Sequence, residues 1–232
     1  MAPDDSPSRS AERPPLWPEL APRLLAAGSR AAVQPIADDS PTAELTGLSA
    51  WSTLGALARE TGGILLADGW IRLFGGRAAG EGPHMPSLDE VNAPGQDWFV
   101  VGCDVLGGVF ALDGGAFGEG DGMLHYFGPD VLDWTPLGIG LTAFVDAMLD
   151  GIDAELYEEL RWEGWEAETM LLGLDEGISV VPMLCTRESK PLERASRRAV
   201  PMEELVRFHV DVAAQIDGEA PRPAPDLARK ER

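Results

Sequence analysis

A chain of 232 residues with 44% hydrophobic side chains can bury one core, and its 39 acids against 18 bases leave a net charge of −21. The excess is confined: residues 31–185 hold 26 acids and four bases, Arg59, Arg72, Arg77 and Arg161, so the body repels phosphate backbones and nucleic acid is excluded as its partner. No run of eighteen apolar residues offers a membrane span, and MAPDDSPSRSAERPP lacks the apolar centre of a secretory leader, so a cytoplasmic protein is expected.

Composition places tails at 1–13 and 218–232, where Leu227 is the only large apolar side chain of the second, around a single domain over 14–217. A first helix is predicted over 17–27, weakened by Pro18 and Pro22 and stopped at Gly28. A second follows Ser49 as its cap, with Trp51, Leu54, Leu57 and Ala58 at helical spacing and Gly62 at its end. ILLADGWIRLF then reads as a hairpin, because both central positions of a type I′ turn need positive φ and Asp68-Gly69 supplies them.

Residues 75–97 are dense in glycine and proline and read as a long loop, one rim for a binding surface. Strands are expected at 98–103, 107–112, 122–127 and 131–134, with Gly107-Gly108 and Asp113-Gly114-Gly115 in the turns. Leu141, Phe144, Val145, Met148 and Leu149 form the apolar stripe of a helix over 142–150 that Gly151 ends. An acidic helical stretch, DAELYEELRWEGWEAETMLLG, is interrupted at Gly164. A strand over 178–185 carries Pro182, which moves it to a sheet edge or a bulge. The last helix spans 201–216, with Pro201 at its first position and Glu203 and Glu204 suiting its N-terminus. Cys103 and Cys185 fall inside predicted strands and are expected to be reduced thiols.

The segments ARETGGILLADGWIRLFGG (58–76), FVVGCDVLGGVFALDGGAFG (99–118), YFGPDVLDWTPLGIGLTAFVDAMLDG (126–151), LRWEGWEAE (160–168) and SRRAVPMEEL (196–205) resemble, in the same order, a bacterial family of uncharacterised proteins, domain of unknown function 2625. That family supplies no catalytic residue to carry over. G-C-D-x-x-G-G-V-F-A-L-D, followed by a strand and the helix LTAFVDAML, is similar to the centre of the Smi1/Knr4 (SUKH) superfamily. The resemblance implies an α+β fold, one bent antiparallel meander flanked by helices. Many bacterial SUKH members neutralise a toxin and others are interaction modules. The early LP-type helix motif of that group is absent here, so the likeness is one of fold, which does not fix function.

Enzyme motifs are missing. His84, His125 and His209 fall in a loop, a strand and a helix without a second ligand at metal spacing, and no G-x-S-x-G, H-E-x-x-H or G-x-x-x-x-G-K-[ST] occurs. The glycine pairs read as turns and bulges rather than phosphate loops. Residues 113–122 carry oxygen ligands but miss the spacing and terminal glutamate of a calcium loop. No metal or cofactor is therefore implied.

Two constellations stand out as binding sites. In Arg161-Trp162-x-Gly164-Trp165-Glu166, two indoles three residues apart and a neighbouring arginine make either a partner-facing hot spot or a piece of core, the second being the commoner role. Arg197 and Arg198, ahead of the last helix, either clasp carboxylates of the acidic body or bind an anion. Three functions stay open. The first is a non-enzymatic acidic module binding a basic protein, toxin-neutralising in its sharpest form, though the acidic surface can equally serve solubility alone. The second is an enzyme of unrecognised chemistry with a cleft formed by Asp104, Asp113, His125 and Trp134. The third is an oligomer-forming module built on the tryptophans.

Overall fold

A computed structural model describes residues 14–118 and 120–228; the tail expected at 1–13 lies outside the described residues. In chain order it has helix α1 (Trp17–Ala26), strand β1 (Ala31–Val33), helices α2 (Thr42–Thr46) and α3 (Thr53–Glu60), and strands β2 (Gly63–Leu66) and β3 (Ile71–Phe74). Helix α4 (Leu88–Val91) precedes β4 (Trp98–Asp104), β5 (Val109–Asp113), β6 (Leu124–Phe127) and β7 (Trp134–Pro136). Helices α5 (Leu141–Leu149), α6 (Asp153–Leu156) and α7 (Trp165–Met170), strands β8 (Glu176–Val181) and β9 (Ser196–Pro201), and helix α8 (Met202–Asp217) complete the chain.

Strands β1 to β7 form one seven-stranded antiparallel sheet in sequence order, the α+β meander that the glycine and aspartate turns imply. The β2–β3 turn matches its sequence signal: Trp70 N donates to Ala67 O at 3.1 Å across Asp68 and Gly69, whose φ values are 56° and 87°. A bulge between Val100 and Gly102 shifts the register of β4 against β5. Thr53 of α3 and Thr142 of α5 join by a 2.7 Å hydroxyl contact, and Phe144 of α5 meets Phe110 of β5 with ring centroids 5.0 Å apart. These contacts set the helices against the sheet.

Strands β8 and β9 pair as a second, two-stranded sheet. Ile178 N donates to Val105 O at 2.6 Å, and the buried Arg72 Nη1 of β3 donates to the carbonyls of Gly173, Leu174 and Glu176. A cation that would be costly alone in the core thus ties the small sheet to the large one.

Several local expectations shift. The α3 cap is Ser52, whose Oγ accepts from Gly55 N at 3.0 Å, while Ser49, three residues earlier, turns its Oγ to Trp51 N at 3.3 Å. The loop over 75–97 contains α4, started by a capping box between Ser87 and Glu90. The strand expected over 178–185 runs from Glu176 to Val181 and ends at Pro182, which leaves Cys185 in a turn; Cys103 is buried in β4, and both thiols are free. Strands β1 and β9 have no counterpart in the sequence reading. Beyond α8 the chain runs along the body: Leu227 is buried, and Pro223 O accepts from Trp134 Nε1 at 2.7 Å. Among the described residues no helix is long and apolar enough to cross a membrane.

Candidate functional site

The acidic stretch after α5 breaks into short pieces. Gly151, with φ of 95°, ends the approach to α6, and Gly164, with φ of 80°, lets the chain turn into α7. Asp153 opens α6 and points inward, where it is almost wholly buried. One carboxylate oxygen accepts from Arg30 Nη2 at 2.5 Å and the other from Arg161 Nη1 at 2.8 Å. A buried carboxylate is tolerable because two cations meet it.

Arg161 is caged by rings. Its guanidinium carbon lies 4.0 Å from the Trp165 ring centroid, 5.0 Å from Trp70 and 5.5 Å from Tyr157. Among the described residues its Nε and Nη2 atoms have no hydrogen-bond partner, so the ring faces stand in for water around that part of the charge. Trp70 is the hub: fully buried, it packs against Tyr157, Trp162 and Trp165 at centroid distances of 5.6, 5.8 and 5.1 Å.

A second clasp closes α7 from the other side. Arg197 Nε and Nη2 donate to the two Glu168 oxygens at 3.1 and 3.0 Å, and its guanidinium carbon sits 4.5 Å from the Trp162 ring. Trp162 Nε1 donates to the same carboxylate at 2.9 Å. The Arg197 hydrogen bonds, ahead of other causes, hold the Glu168 carboxyl below its usual range. Lys190 Nζ reaches the Glu159 carbonyl.

The partner-facing reading of the tryptophan motif is therefore replaced by an internal one. Trp162 is 3% exposed, Trp165 is half-buried, and the Arg161 charge is spent on Asp153 and the rings; of that motif Glu166 alone among the named binding residues is exposed. Arg197 clasps a carboxylate, whereas Arg198 is exposed beside Val181 and Phe208. Along residues 152–171, Glu155, Glu158, Glu159, Glu163 and Glu166 are exposed, with Ile152, Leu156, Met170 at 80% and Leu171 at 87% exposure. These residues, the glutamate shelf, combine exposed carboxylates with uncovered apolar side chains and can engage a surface that is both basic and apolar. Met170 and Leu171 were not singled out by sequence; the signal was two apolar residues directly after an acidic run.

The alternative cleft does not assemble. Asp104 and Asp113 lie at opposite ends of the β4–β5 hairpin, since Cys103 pairs with Val109 while Trp98 pairs with Asp113. Four residues of strand, roughly 13 Å, separate those rungs. Asp104 is fully buried: it accepts from Leu106 N and Gly108 N, both at 2.9 Å, from the Tyr126 hydroxyl at 2.6 Å and from the Tyr157 hydroxyl at 3.2 Å. Burial pushes its carboxyl up, against the pull of those four donors. Asp113 gathers the amides of Gly115, Phe117 and Gly120 and so shapes the glycine loop. His125 and Trp134 do share one cleft, together with Phe117 and Asp121. His84 lines a different one, with Cys103, Asp175 and Leu227. His209 is buried against the Gly107 backbone, and burial lowers its pKa to about 4. Among the described residues no three of His, Cys, Asp and Glu are grouped to hold a metal ion.

A family model described as protein of unknown function DUF2625 matches residues 10–205. The chain is 32% identical over 161 residues to the uncharacterised protein YbfG of Escherichia coli (strain K12), an alignment covering 66% of this chain and 70% of that protein. An uncharacterised protein of Haemophilus influenzae is 28% identical over 158 residues, covering 66% of this chain and 69% of its own.

Proposed function

The chain belongs to the family described as protein of unknown function DUF2625, and from that premise we propose that it is a non-enzymatic binding module whose glutamate shelf engages a basic protein partner. The observation that carries this reading is the division of labour in residues 152–171. Arg161 and Asp153 neutralise each other inside, while the glutamates and the apolar pair Met170-Leu171 remain outside. A shelf that served solubility alone would have no use for two adjacent apolar side chains held in water. Toxin neutralisation is the finer form of the proposal; it rests on the similarity of the G-C-D-x-x-G-G-V-F-A-L-D strand pair to SUKH proteins.

The test uses a synthetic amphipathic helix with lysines on one face and leucines on the other. Binding is compared between the wild type, the shelf variant Glu155→Lys/Glu158→Lys/Glu163→Lys, and the control Asp38→Lys/Asp39→Lys/Glu44→Lys, which changes the net charge equally at other exposed positions. The shelf variant should lose most of the salt-sensitive binding and the control little. Equal losses would reduce the effect to net charge and overturn the proposal.

A further inference from the structure

The cleft of about 370 Å³ between the glycine loop and the end of the sheet is lined by Phe117, His125, Trp134 and Asp121, with Met123, Pro136 and Gly138. Its walls are set with care. The Phe117 and His125 rings stack at 4.0 Å and 6°, and Trp134 meets Phe117 at 4.9 Å and 65°. Phe117 is held from below by Asp113, which accepts its amide and those of Gly115 and Gly120. Trp134 is held from behind by its hydrogen bond to Pro223 O and by the edges of Trp98 and Phe127. The aromatic walls are thus fixed before any ligand arrives.

We infer that this cleft is a binding site for a quaternary-ammonium head group. Aromatic rings attract a weakly hydrated cation through their electron-rich faces, and a carboxylate at the rim adds charge. Asp121 supplies that carboxylate; it is exposed and turns its own loop by accepting Met123 N at 2.8 Å. Phe117 and Trp134 touch at an angle of 65°, so the pair offers no parallel slot for a flat ring. The net charge of −21 enriches cations around the molecule, so the field and the site act in one direction. None of its lining residues falls within residues 152–171, and neither proposal depends on the other.

The experiment follows the indole N–H signals of the seven tryptophans by NMR, with Trp134 assigned through Trp134→Phe. Tetramethylammonium is titrated to about 0.1 M against tert-butanol, its uncharged counterpart in shape, with ionic strength held constant. The expected result is a saturable shift of the Trp134 signal with tetramethylammonium alone. Asp121→Asn and Phe117→Leu, which keep the loop turn and the apolar volume, should each weaken binding about threefold. Choline and a peptide carrying trimethyl-lysine then distinguish a free metabolite from a protein-borne group, and tighter binding of either supports the site. An equal response to tert-butanol, or no Trp134 response at all, would overturn the inference.

Discussion

The Asp153 carboxylate and the Arg161 guanidinium meet at 2.8 Å across eight residues of chain, with Arg30 closing on the other carboxylate oxygen. Asp153→Asn would leave two guanidinium groups around a neutral amide, one of them buried. A loss of about 3–5 kcal/mol is expected on urea unfolding. Arg30→Ala should cost under about 1 kcal/mol, since that side chain is 37% exposed and water can take its place. Similar losses for the two variants would show that the ion pair is not what anchors α6.

Gly108 lies under the Asp104 network so closely that a Cβ there would stand 2.4 Å from both Asp104 Oδ2 and the Tyr126 hydroxyl. Gly108→Ala must push these groups apart, for about 1–3 kcal/mol. Gly164→Ala meets open space and pays only for its φ of 80°, about 1 kcal/mol. Thermal unfolding of the two variants should therefore rank Gly108→Ala as the more damaging. The reverse order would mean that the network gives way without cost.

The meander was readable because its turns carry glycine and aspartate and its strands are apolar, as in FVVGCD and VFALD. Strand β1 is three residues, two of them exposed, and β9 reads SRRAVP with mostly exposed positions, so neither has an apolar pattern to betray it. For the tryptophan motif, the core alternative is the one the structure fits, for a similar local reason. Gly164 interrupts the helix, so Trp162 precedes it and Trp165 begins α7; spacing of three no longer places them on one helical face. Their meeting point, Trp70, comes from the distant β2–β3 hairpin, which no local spacing can announce. Phe117 was hidden in a glycine run that reads as turns, and it needs the β6–β7 pairing to bring His125 and Trp134 to it.

Two buried groups set opposite pH slopes. His209 keeps a neutral ring with its pKa lowered from 6.5 to about 4, so the unfolded chain gains a proton first as pH falls. Stability from this group is complete above pH 6.5 and declines between there and about 4, by roughly 3 kcal/mol. Asp104 has its pKa raised above 3.8, so its contribution is complete below that value and is lost as pH rises toward the folded pKa. His209→Gln should flatten the decline between pH 6.5 and 4 measured by urea unfolding at each pH. An unchanged profile would place the acid sensitivity elsewhere.

Met170 and Leu171 are 80% and 87% exposed, so Met170→Ser/Leu171→Ser removes little buried surface and should leave stability within about 0.5 kcal/mol. Binding of the lysine–leucine helix should nonetheless fall by about tenfold or more, because two apolar anchors are worth roughly 1.4 kcal/mol together when a partner covers them. The residual binding should also become more salt-sensitive, since only the glutamates remain to hold the peptide. This separates the two halves of the shelf: charge sets attraction at distance, while the apolar pair sets how tightly a partner stays. If the double variant binds as the wild type does, the apolar pair is not part of any docking surface, and the shelf is left with its charge alone.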